Sequence, residues 1–286
     1  MASHRARTLV CTASALIAFA ANSLLCRQGL GRGAIDAASF STIRLASGAV
    51  TLVLLATAKR RPAPGSRGTW GSAAWLFLYA VPFSFAYVSL GAATGALVLF
   101  GAVQATMLAS AVVGGERPGV LQWLGLALAL GGLVYLVSPG LAAPSPIGCA
   151  LMATGGFSWG IYSLRGRGQA DPLSETAGNF ARAVPLAVGV SILTWAQAGV
   201  RLEGALLAIA SGAVTSGLGY VVWYAALAGL TTTQAASVQL AVPVLAAVGG
   251  VWFLAERITA RLVIAAVLIV GGVALALASA PSQKSR

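Results

Sequence analysis

The chain has 286 residues, of which 58% are hydrophobic and only 8% charged, with a mean hydropathy of +0.87. Soluble domains carry about 25% charged residues, so this composition excludes a soluble enzyme, a disordered scaffold and a secreted disulfide module, and places the chain in a bilayer. The net charge of +12 would point to nucleic acid if the basic residues lined one face; here they punctuate apolar runs, as Lys and Arg do on the cytoplasmic loops of membrane proteins.

A membrane-spanning helix needs about 20 mostly apolar residues. Runs of that kind lie near 8–26, 37–58, 70–90, 93–113, 119–138, 147–165, 176–198, 204–227, 233–254 and 260–279, which predicts an all-α membrane protein of ten transmembrane helices. The connectors, such as 59–68, 114–118, 139–146, 165–174 and 255–259, are too short to hold a soluble domain. The first run follows His4, Arg5 and Arg7 and has the outline of a cleavable signal peptide, but its likeness to the sixth run argues that it stays. Cys11, Cys26 and Cys149 form no CxxC pair, so neither a metal cluster nor a disulfide framework is indicated. No metal and no cofactor is expected.

Ten spans put both termini on one side. With the amino terminus in the cytoplasm, eleven basic residues fall inside and five outside, and the 59–67 loop alone contributes four with no acid. The expected topology therefore has both termini cytoplasmic. The bias to Arg, Ala and Gly suggests a GC-rich bacterial genome, and with it the inner membrane.

The two halves match at a shift of 140 residues. Gly115-Glu116-Arg117 corresponds to Ala255-Glu256-Arg257, and the glycine pair Gly131-Gly132 to Gly271-Gly272. Phe19-Ala20 meets Trp159-Gly160, Ser23-Leu24 meets Ser163-Leu164, Arg27 meets Arg167, and Phe40 meets Phe180. Tyr87 and Leu90 match Tyr224 and Leu227 at a shift of 137. Each half, 1–140 and 141–286, thus holds an odd number of spans, and the second must enter the membrane from the opposite side. Such inverted five-helix repeats exchange conformations so that a midplane site opens to each side in turn; the same duplication also simply builds a stable bundle.

This duplicated pattern, with Y-x-x-L before one span, the GER and AER tripeptides and the Gly-rich run from Gln122 to Gly132, resembles the drug/metabolite transporter superfamily, specifically its ten-helix EamA-type exporters. The resemblance covers nearly the whole chain, and its motifs are diffuse. It implies two repeats around a central cavity and the export of amino acids and related metabolites, with bacterial exporters of aromatic amino acids as the nearest functional analogue. Phe19 stands where the family often has Trp in the first repeat, and Val103-Gln104 stands opposite Pro243, which puts a symmetric gating role for that proline in doubt.

Tyr79, Phe83 and Tyr87 recur every four residues in the third span, and Ser216, Tyr220, Trp223 and Tyr224 share a face of the eighth. They read as cavity walls or as packing; Trp70 and Trp195, at span ends, suit an interfacial belt. Phe19 and Asn22, with their repeat partners Trp159 and Tyr162, form a second candidate pair of walls. Asn22, Gln104, Ser237 and Gln239 must face one another or a wet cavity, because lipid penalises bare amides and hydroxyls. Pro82, Pro185 and Pro243 bend their helices and either gate the path or are static kinks.

Arg44 and Arg182 lie about six residues inside their spans, where they either snorkel to the interface, pair structurally or attract a substrate carboxylate. All six acids, and His4, sit in loops or at span ends. No proton relay of buried carboxylates is therefore read, and the intramembrane Glu of small multidrug exporters has no counterpart. Lys59 and Lys284 lie in a loop and the tail, which disfavours phosphate esters. Glu116 and Glu256 are expected to pair locally with Arg117 or Arg257. The function expected is a secondary exporter of small neutral or zwitterionic metabolites, above all amino acids, whose partners are the small-molecule substrate and the lipid bilayer and not nucleic acid. The alternatives are a non-saturable pore or structural subunit, and an intramembrane enzyme, for which no buried base or metal ligand is present.

Overall fold

The computed structural model describes residues 2–58, 67–113, 119–138, 143–167, 169–230, 235 and 238–278. Among them are ten helices: α1 (Ala2–Gly31), α2 (Ala37–Ala58), α3 (Trp70–Tyr87), α4 (Ala92–Val113), α5 (Val120–Val137), α6 (Pro146–Arg165), α7 (Pro172–Leu193), α8 (Leu202–Leu227), α9 (Ala241–Leu254) and α10 (Ala260–Ala278). Five of them contain apolar stretches long enough to cross a membrane by length and composition. Local chemistry sets several ends. Thr69 and Ser145 accept backbone N–H groups of Ser72 and Gly148 at the starts of α3 and α6, and Pro146 takes the first turn of α6 without losing a ladder bond. The seventh helix begins at Pro172, four residues before the apolar run, because Asp171 caps it through Ser174. It ends at Leu193 in a short 3-10 turn, Trp195–Gln197. Ala255, in the left-handed region at φ 54°, closes α9. Part of the ninth apolar run, including Ser237, lies outside the described residues.

The helices pack in a pattern that survives exchange of the two halves. α1 lies against α8 and α9, and α6 lies in the same way against α3 and α4. α2 pairs with α7, α4 with α9 and α5 with α10, each helix meeting its own repeat equivalent. The fold is thus an all-α membrane fold of two inverted five-helix repeats around a centre. The aligned glycine pairs show how sequence becomes contact: a Cβ on Gly272 would collide with the Gly125 carbonyl and the Ala129 nitrogen, and one on Gly132 with Leu268 and Ile269. Small residues let α5 and α10 approach backbone to backbone, the usual means of tight association where lipid offers no hydrophobic drive. Thr42 and Ser191 join α2 to α7 by a hydroxyl pair 2.8 Å apart.

Large apolar side chains face outward, among them Leu9, Ile17, Leu54, Val134 and Leu193, as a lipid-facing surface requires. The rings of Phe19, Tyr79, Phe83, Trp159, Tyr220 and Trp223 and the polar side chains of Asn22, Ser211 and Gln239 are turned inward instead. Trp70 and Trp195 are exposed at helix ends. Among the described residues the only extended pairing is an isolated bridge, Ile35 with Val200, which ties the α1–α2 connector to the α7–α8 connector.

Candidate functional site

The ring-bearing faces of α1, α3, α6 and α8 meet at the centre. Trp159 is the hub: its ring centroid lies 5.7 Å from Phe19, 5.0 Å from Tyr79, 5.8 Å from Tyr162 and 4.7 Å from Tyr220. Phe19 also touches Trp223 at 5.6 Å, and the α3 ladder continues from Tyr79 through Phe83 to Tyr87 at 5.3 and 4.8 Å. The two pairs of walls read from the sequence are therefore one continuous aromatic cluster, built from both halves. Most contacts are edge-on or tilted, the arrangement ring quadrupoles favour. Phe19, Asn22, Tyr79, Phe83 and Trp159, closed by Leu99 and Phe100 of α4, surround a gap of about the size of one water molecule.

A polar cluster adjoins it. Asn22 Oδ1 accepts the hydroxyls of Ser211 at 2.7 Å and Thr215 at 3.1 Å, and Asn22 Nδ2 donates to Tyr79 Oη at 3.4 Å. Arg44, wholly buried, donates from Nη2 to Tyr79 Oη at 3.0 Å and from Nε to Ser216 Oγ at 3.1 Å. Its guanidinium stands 5.1 Å and 4.9 Å from the ring centroids of Tyr79 and Phe83, within cation–π range. Arg44 does not snorkel, because α2 packs its inner face against α8 and the side chain points to the centre of the bundle.

The geometry depends on a feature no sequence pattern announces: residues Ser211–Leu218 in the middle of α8 form a π-helical stretch. Its wider turn aims Ser211, Thr215 and Ser216 at α1 and α2. Gly212 within it lets the chain pass so close to α2 that a Cβ there would strike the Arg44 carbonyl oxygen.

The remaining candidates divide. Tyr162 accepts a 3.4 Å bond from Asn179 Nδ2, and with Tyr224, Arg165 and Glu175 lines a second gap where α3 and α7 begin and α6 and α8 end. Gln104 is buried on α4, one turn beyond Phe100, and does not itself line the central gap. Gln239 is buried and donates to the Ala235 carbonyl. Pro82 precedes Phe83 in the wall of the site, Pro243 is buried near the start of α9, and Pro185 faces outward on α7. Arg182, halfway along α7, donates to the Gly178 carbonyl one turn back and to the Arg67 carbonyl in the connector before α3, and its guanidinium makes no contact with the ring cluster. Asn179, Ser211 and Thr215 escaped the sequence reading; the four-residue spacing of Ser211 and Thr215 in an apolar span was the available signal.

At the end opposite the second gap, Glu256 corrects an expectation. Its carboxylate pairs not with the adjacent Arg257 but with Arg27, from the other half, at 3.1 Å. Both its oxygens accept the Ala92 N–H at the start of α4, at 3.1 and 2.9 Å, where the helix dipole favours a negative charge. Arg27 also donates to the carbonyls of Tyr87 and Val88 at the end of α3. The turn after Ala255 projects Glu256 back over the bundle, which is why a partner 229 residues away wins over its neighbour. The result is a latch across α1, α3, α4 and α9.

Residues 146–278, which span α6 to α10, match the EamA-like transporter family. The chain is 52% identical to an uncharacterised protein of Pseudomonas aeruginosa over 98% of either chain. It is also similar to a crystal structure of a protein with which it shares 21% identity, over 96% of this chain and 99% of that one, at a TM-score of 0.70. At that identity the likeness is one of fold.

Proposed function

The chain belongs to the EamA-like transporter family, and from that premise we propose that this multi-pass membrane transporter of small solutes exports amino acids and related metabolites, aromatic ones among them, by alternating access. The observation that carries the reading is the aromatic centre closed from both halves at once. Phe19, Tyr79 and Phe83 of the first half and Trp159, Tyr220 and Trp223 of the second are set on helices that exchange places under the repeat. Flat apolar walls with a few hydroxyl and amide groups suit a small amphipathic solute, and rocking of the units 1–140 and 141–286 against each other would expose that centre to either side.

Buried polar atoms without a partner add support. Trp223 Nε1, Ser158 Oγ, Ser163 Oγ and Arg44 Nη1 lack one, and such atoms are costly in a dry interior unless a solute or water meets them. Of the residues read from the sequence as substrate-binding, we assign the central role to the ring cluster with Asn22; Tyr162 and Tyr224 line the second gap, and Gln104, Ser237 and Gln239 are left outside the assignment. The test is uptake of labelled amino acids into proteoliposomes. Saturable, protein-dependent flux that unlabelled solute accelerates from the far side is expected; linear flux without saturation would assign the chain to the pores, and no flux across a broad panel would remove the reading.

A further inference from the structure

Arg44 carries an obligatory positive charge at the centre of a membrane-embedded bundle, 0% exposed, and a charge at that depth is costly unless something offsets it. Its partners are all neutral: the hydroxyls of Tyr79 and Ser216 and the rings of Tyr79 and Phe83. No ion pair to it exists among the described residues, where the one salt bridge is Arg27 with Glu256. The hydroxyls satisfy Nε and one N–H of Nη2, and Nη1 has no partner at all. What is left over is one edge of the guanidinium fork, Nη1 with the second N–H of Nη2. Two parallel N–H groups of that kind match the two oxygens of a carboxylate. The edge belongs to a side chain stacked on Tyr79 and Phe83, two of the residues that surround the central gap.

We propose that Arg44 is the residue that recognises the substrate, by docking its carboxylate on this free fork while the aromatic or apolar remainder lies against Phe19, Tyr79 and Trp159. The inference rests on the transport reading and narrows its substrate class to solutes that bear a carboxylate. It also separates the two ends of an amino acid. No acid among the described residues lies at the centre to hold an ammonium group, so the carboxylate is required and the amine is not. Deaminated aromatic acids therefore bind, and decarboxylated amines do not. The tetherless cation also explains why Asn22, Ser211, Thr215 and Ser216 are gathered beside it: they hold Tyr79 and the α8 backbone in place around a charge that no protein group neutralises.

The experiment is a binding titration on the purified full chain in detergent at pH 7, read by intrinsic tryptophan fluorescence, with 3-phenylpropionate and phenethylamine as probes. Saturable binding of the acid, with the amine at least about 30-fold weaker, is expected, the ratio that loss of one partner of a buried charge pair produces. Arg44→Gln should weaken the acid by a similar factor, and Arg44→Lys, which keeps the charge but loses the fork, should fall between. Equal binding of acid and amine, no binding of the acid to the wild-type chain, or an Arg44→Gln variant within about twofold of wild type overturns the proposal; the wild-type comparison decides even if the variants fail to fold. Failure of the transport reading shows differently: proteoliposomes that move neither amino acid nor aromatic acid, made from protein that still binds 3-phenylpropionate through Arg44.

Discussion

Single side chains shape the central ring cluster and hold the connectors together. Trp159 touches four other rings and Tyr224 lines the second gap, so each shapes a space. Trp159→Ala is expected to change the ranking of amino acids in a competition assay by about tenfold at normal expression, since lost ring contacts cost on the order of 1 kcal/mol or more, and Tyr224→Ala to change it if solutes pass the second gap; unchanged rankings in both variants would take the two residues out of the path. Outside the spans, burial pushes the Asp36 carboxyl up, but backbone and side-chain hydrogen bonds from Ser39 and the Gly199 N–H outweigh it and hold the group below its ordinary value. A carboxylate lowered in the folded state stabilises fully above its unfolded pKa of about 3.9 and loses that contribution as pH falls through the folded value. Melting temperature should therefore drop between about pH 5 and pH 2 more in the wild type than in Asp36→Asn, as differential scanning fluorimetry would report; parallel curves would show that the bridged connectors do not depend on this charge.

Helices and their ends are where the two halves act on each other. The Arg27–Glu256 pair leaves its side chains 26% and 20% exposed, so as a bond it is worth little in global stability. Its value lies in position, because it joins the ends of α1, α3 and α9 to the start of α4. Glu256→Gln should raise the rate at which a maleimide reaches the native, fully buried Cys26, next to Arg27, in a chain whose Cys11 and Cys149 are replaced by Ser. A labelling rate equal to that of the parent would mean the pair does not restrain this end. Repeat equivalence gives Arg167 and Glu116 as the counterpart at the opposite end, Glu116 lying outside the described residues; charge reversal there should affect the other side of the membrane. The apolar run of α8 predicts a helix, and it is one; Ser211 and Thr215, four residues apart, share a face in any α-helix, but only the wider turn of the π-helical stretch at Ser211–Leu218 brings Ser216 round beside them, so that the first two meet Asn22 and the third meets Arg44.

For the whole molecule, charge asymmetry sets the expected orientation. Eleven basic residues against five imply that both termini are cytoplasmic and that the latch faces the exterior. Reporter fusions at the carboxyl terminus, alkaline phosphatase inactive and a fluorescent protein active, are the expected outcome in a bacterial host; the reverse pattern would place the latch on the cytoplasmic side. The ten spans, the duplication and its inverted sense were legible because bilayer thickness imposes helix length and because a repeat needs no contact information to be seen. That the rings of α3 and of α8 share a face was legible for a similar reason, since spacing along one helix places residues on one face. What spacing does not say is what each face meets. Arg44 and Arg182 have the same depth in their runs, yet one is enclosed between α2, α3 and α8 and the other bonds the carbonyls of Gly178 in its own helix and Arg67 in a connector. Glu256 passes over the neighbouring Arg257 for Arg27, 229 residues away. Sequence by itself determined the membrane class, the helix count and the two-fold plan, all of which follow from local composition and periodicity. The tertiary structure alone decided which charge is buried without a counterion and which is latched, because electrostatic partners are chosen by distance in space and by what the surrounding helices exclude.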